Sequence, residues 1–109
     1  MATLTAQAVS LVGTNPAYAS ATSGGDKVAP GDRTVLHVKN GSGSSVTVTL
    51  TATASVRGQA VGNVTIAVPA SGERLIGPLA SDLLASPVDG LVAIGYSSAT
   101  SVTIAALRI

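Results

Sequence analysis

The 109-residue chain holds six Lys or Arg and five Asp or Glu, for a formal charge of +1, and it has no cysteine. Disulfides are therefore excluded. The charges are scattered, without a basic cluster interleaved with aromatics, which argues against a nucleic-acid partner. Only 10% of residues are charged, and the apolar inventory is 14 Val, 10 Leu, 5 Ile and 18 Ala with two Tyr, no Phe and no Trp. Such a chain has a thin aliphatic core and little charge to keep copies apart, so subunit contacts are expected to help it.

Period-two alternation dominates the chain and helical periodicity is nearly absent. Thr3 to Val12 reads as a first strand with Leu4, Ala6 and Ala8 on one face, and the shift to Val9 and Leu11 suggests a bulge or a change of sheet partner. Residues 13–32 are rich in Gly, Pro, Ser and Ala, and they read as an arm or binding loop. "RTVLHVK" from Arg33 to Lys39 sets Thr34, Leu36 and Val38 against Val35, His37 and Lys39. Asn40-Gly41 then predicts a hairpin into "VTVTLTATA", where Val46, Val48, Leu50, Ala52 and Ala54 alternate with Thr47, Thr49, Thr51 and Thr53. "NVTIAVPA" places Val64, Ile66 and Val68 inward, and "ERLIGP" adds a short strand. Leu79 to Ser86 is the one helix-compatible piece, about two turns long. Asp89-Gly90 turns the chain into "LVAIGYSS", and Ser101 to Ile109 closes it.

These elements predict an all-β chain, an antiparallel β-sandwich or jelly roll of seven to eight short strands with an extended N-terminal arm. It forms one domain, with strand and arm over 1–30 and a sandwich core over 31–109. The start lacks a basic n-region, which predicts no signal peptide, and no apolar run is long enough to span a membrane. The sequons at Asn40 and Asn63 are expected to stay unused without a secretory route.

Chemistry-bearing patterns are sparse. His37 is the single histidine and reads as a surface strand residue. Asp26 and Asp32 flank "KVAPG" and form a weak candidate for calcium, short of a third acid. No G-x-S-x-G elbow occurs, and "GSGSS" lacks the lysine of a phosphate loop. The expectation is therefore no enzyme and no cofactor. Tyr96 reads as a core-edge aromatic, and Tyr18 either anchors a partner or packs on its own sandwich.

Four blocks, "GDRTVLHVKNGSGSSVTVTLTA", "VTIAVPASGERLIGP", "DGLVAIGYSS" and "SVTIAALRI", together resemble small head decoration (cement) proteins of tailed bacteriophages. The resemblance covers about Gly31 to Arg108. It implies a structural protein without cofactor, bound to the outside of an assembled capsid and bridging capsomers. It further implies the major capsid protein as partner, a homo-oligomer with a trimer favoured, and a virion location after synthesis in the bacterial cytoplasm. On this reading the contacts fall in residues 13–32 and in "IGPLASDLLASPVDG", with Tyr18, Asp26, Lys27, Leu79, Leu83 and Leu84 as the candidates. The alternative is a head-fibre, tail or adhesin-type sandwich module that recognises a host surface or carbohydrate.

Overall fold

The alternation read from the sequence is the alternation that folding uses. In the computed structural model, which describes residues 3–109 and all their side chains except those of Val56 and Asp82, two five-stranded sheets face each other across an aliphatic core. The first sheet runs in the order β1 (Thr3–Leu4), β4 (Asp26–Val28), β11 (Val92–Tyr96), β6 (Val46–Leu50), β9 (Val64–Val68). The second runs β10 (Glu73–Ile76), β5 (Thr34–Asn40), β12 (Val102–Arg108), β2 (Gln7–Ala8), with β3 (Ala19–Ser20) also pairing with β12. A small hairpin of β7 (Ser55–Val56) and β8 (Gln59–Ala60) stands apart.

The inward rows are Leu36 and Val38 of β5, Val46, Val48 and Leu50 of β6, Val92 and Ile94 of β11, and Val102, Ile104 and Ala106 of β12. Val28, Val68, Ile76, Leu79 and Leu84 complete the cluster. Most of these residues are Val or Ile, whose side chains are stiff at χ1 and fill the space between the pleats at low entropic cost. The expected all-β sandwich is therefore found.

The short strands β1 to β12 outnumber the seven to eight expected, because several are of two residues only, and four further details differ from the sequence reading. First, the pairing is not purely antiparallel: β1 runs parallel to β4, and β2 runs parallel to β12. The N-terminal segment changes sheets between Leu4 and Gln7, giving one short strand to each, and this replaces the long strand expected over Thr3 to Val12.

Second, Asn40-Gly41 does not close a hairpin. β5 and β6 lie in different sheets, and residues 41–45 cross between them. The physical reason is the side chain of Asn40, which is 2% exposed. Its Nδ2 donates to the Ser44, Val68 and Pro69 carbonyls at 2.8, 3.2 and 3.2 Å, and its Oδ1 accepts from Ser42 N and Ser42 Oγ at 3.0 and 2.6 Å. One amide thus staples the end of β5 to the end of β9 in the opposite sheet. Its burial also removes it as a glycan acceptor in the folded chain.

Third, residues 13–32 are not a free arm. They contain β3 and β4, and β4 sits between β1 and β11 with Val28 fully buried. A division at residue 30 would cut a sheet, because β4 forms part of the sandwich itself. The Gln7 side chain also clamps this segment like an added strand, donating from Nε2 to Ala17 O at 2.9 Å and accepting from Ala17 N at 2.8 Å. Fourth, the helix expected over Leu79 to Ser86 is a single turn, α1 (Ser81–Leu84).

Candidate interaction surfaces

On the outer face of the second sheet, Tyr18 lies across β5. Its hydroxyl is 2.6 Å from His37 Nδ1, its ring meets the imidazole edge-on at 5.5 Å, and Lys39 Nζ sits 4.3 Å from the ring centroid. His37 Nε2 is 3.2 Å from Glu73 Oε1. His37, expected on the surface, is thereby 14% exposed at its side chain. Its cross-strand neighbour Ala105 is 2% exposed although it stands on the outer row. Of the two roles weighed for Tyr18, this geometry supplies packing on its own sandwich.

The other sequence candidates separate into core and surface. Asp26 is 1% exposed and accepts from Tyr96 Oη at 2.7 Å and from Thr22 N at 3.2 Å. It is spent inside the sandwich, tying β4 to β11, and its side chain is not on the surface. Among the described residues no group of three or more His, Asp or Glu has metal-binding geometry. Burial, reinforced by the Asp26 carboxylate, pushes the Tyr96 phenol far above its ordinary pKa. Leu79 and Leu84 are 0% and 3% exposed, which corrects their assignment as contact residues. The chain needs them as core, because the turn around Gly31, bridged to Leu79, leaves that end of the sandwich to be filled by α1. Leu83 is half-buried against the same cluster. Lys27 is on the outer face of the first sheet, paired with Asp89 at 2.5 Å, and this contact holds the Asp89 carboxyl below its ordinary range.

That outer face is otherwise uncharged. Thr47 and Thr49 of β6 register with Ala67 and Thr65 of β9, and Gly95 of β11 registers with Thr49. Ala93 then leads to Lys27. The threonine row therefore lies beside small neutral residues, not beside the His37 and Lys39 row that a hairpin would have brought to it.

Two apolar features escaped the sequence reading. Leu11 and Val12 are 104% and 95% exposed at the apex of a turn. Gly13 N donates to Ser10 O at 3.1 Å and Ser10 Oγ to Gly13 O at 3.0 Å. Thr14 Oγ1 accepts from Ser10 N at 2.9 Å and donates to Ala8 O at 3.0 Å, and Gly13 has a φ of +101° that favours glycine. The signal was present as an apolar pair between Ser10 and Gly13, where a turn apex is ordinarily polar. The second feature is a cleft of about 310 Å³ between the edge strands β9 and β10, lined by Val64, Ile66, Leu75, Pro78 and Leu83 over the core. Leu75 at its rim is 68% exposed. Gly77 keeps the cleft's backbone close against β5, since a Cβ there would meet Val35 Cγ1 at 2.7 Å.

Comparison of the chain with protein families, with curated proteins and with solved structures found no match.

Proposed function

We propose that this chain is a structural protein that coats the outer surface of an assembled phage capsid and stabilises it by bridging capsomers. The reading starts from the resemblance of its four sequence blocks to head decoration proteins. The observation that carries it in the structure is the neutral outer face of the first sheet, formed by Thr47, Thr49, Thr65, Ala67, Ala93 and Gly95. A three-stranded patch of hydroxyls and methyls docks on another protein without stripping water from a charge, the step that makes charged interfaces costly. Hydroxyls on such a face keep the unbound chain hydrated and can bond to the partner's backbone.

The test is sedimentation of purified protein with emptied, expanded capsids of a tailed phage whose genome encodes this chain beside its major capsid gene, followed by electron microscopy. Density repeating on the capsid lattice, with the first sheet turned inward, is the expected result. Density confined to tail or fibres, or no co-sedimentation, would overturn the reading.

A further inference from the structure

We propose that copies of this chain associate head to tail, the Leu11–Val12 turn of one copy seating in the apolar cleft between β9 and β10 of the next. The two features are complementary in chemistry: one is a hydrogen-bonded projection with two apolar side chains at its tip, the other a concave apolar surface with Leu75 exposed at its rim. Among the described residues neither has a partner within its own molecule. The turn follows β2 at one edge of the second sheet, and the cleft opens beside β10 at the other edge, with β5 and β12 between them. Three inter-strand steps of about 4.8 Å hold the edges roughly 14 Å apart, and the Thr14 and Ser10 bonds prevent the turn from folding back.

The placement also decides the symmetry. A projection and a receptor on opposite edges are different surfaces, so a single contact of this kind is heterologous and closes a ring or runs on as a chain. A four-residue turn in a cleft buries far less than the roughly 800 Å² per partner of a standard interface. A single contact is consequently weak and depends on concentration, and it becomes durable when a ring closes and makes the last contact intramolecular. Edge strands β9 and β10, each paired on one side alone, flank the receptor and offer backbone groups to the incoming segment. This inference does not rest on the capsid reading, and its test uses the isolated chain.

A chain without native cysteine permits disulfide trapping. Leu11→Cys and Leu75→Cys both alter exposed side chains, and circular dichroism checks that each variant folds. The two single variants are mixed at about 100 µM and oxidised, with each also oxidised alone. The expected result is an 11–75 cross-linked dimer at least tenfold above the 11–11 and 75–75 products, and a ladder or closed ring from the doubly substituted chain. Equal yields of all three products, or none, would overturn the proposal. In parallel, the weight-average mass of the unmodified chain should rise with concentration, and Leu11→Asp should abolish that rise. A concentration-independent monomer, or association indifferent to Leu11→Asp, would also overturn it. So would a turn that partitions into neutral phosphatidylcholine vesicles in preference to self-associating, because a lipid surface would then be its occupant.

Discussion

The hydroxyl of Tyr96 donates to Asp26 Oδ2 at 2.7 Å, joining β11 to β4 across 70 residues of sequence. The bond lies at one end of the sandwich, where the buried carboxylate has Thr22 N as a further donor. Burial and the neighbouring carboxylate both disfavour the phenolate, so the folded-state pKa lies above that of the unfolded chain. The stabilisation is therefore complete below about pH 10, where an unfolded tyrosine begins to ionise, and is lost as pH rises beyond it. Tyr96→Phe should cost about 1.5–3 kcal/mol at pH 7, the range for a hydrogen bond to a charged group. It should also shrink the loss of stability between pH 9 and 11. Urea melts of both chains at these pH values check this, and an equal alkaline loss in both would contradict it.

Asn40 carries a second prediction. Asn40→Ala leaves the carbonyls of Ser44, Val68 and Pro69 without their shared donor and frees Ser42 from its acceptor. An unsatisfied buried group costs about 1–3 kcal/mol, and here two sheets lose the same staple, so a loss of about 2–4 kcal/mol is expected. Asn40→Asp keeps the acceptor but removes the donor, and should be no better. Denaturant midpoints measure both, and hydrogen exchange should show faster opening at the β5 and β9 ends in either variant.

The same residue explains what sequence patterning reveals here and what it hides. Alternation identifies β5, β6, β9, β11 and β12, because one row of each turns to the core and the period of two is written in the side chains, whereas β10 buries Ile76 alone. It does not say which strands pair. Asn-Gly followed by a strand reads locally as a hairpin, yet the bonds that decide the matter reach Val68 and Pro69, 28 and 29 residues away. The strands of two or three residues, β1 to β4, carry too little alternation to register, so a segment rich in Gly and Ala passes for an arm. Leu79 and Leu84 looked available because they sit in a loop-like stretch, but a chain with no Phe or Trp must recruit such leucines to fill its ends. Packing on its own sandwich was one of the two roles legible for Tyr18, though not that its contact would be His37.

The position of β4 gives a third prediction. A chain beginning at residue 31 loses β1 and β4 from the first sheet and β2 and β3 from the second, and with them the buried Val28 and the Asp26 acceptor of Tyr96. Val28 alone is worth about 1.5–3 kcal/mol when fully buried, and removing its strand leaves β11 with an unpaired edge over the core. The truncated chain should lose cooperative unfolding and bind a hydrophobic dye, as seen by thermal melts and fluorescence. A truncated chain that melts as sharply as the full one would show that the first sheet tolerates the loss of two strands.

The neutral face supplies the last prediction, and it separates docking from mere exposure. Thr47 and Thr65 are both exposed on the outer row and are not direct cross-strand partners, since Thr47 registers with Ala67 and Thr65 with Thr49. Replacing both with lysine therefore places two charges on the face without setting them directly opposite each other. Exposed strand positions tolerate such changes within about 0.5 kcal/mol each, so the melting curve should scarcely move. If the face docks on a capsid, each ammonium must be desolvated or the contact must reopen, and apparent affinity should fall at least tenfold, which is about 1.4 kcal/mol. Thr47→Ser with Thr65→Ser keeps the hydroxyls and should retain binding. Capsid sedimentation of the three proteins at fixed salt decides the point, because a lysine variant that binds as well as the unmodified chain would move the docking surface off the first sheet.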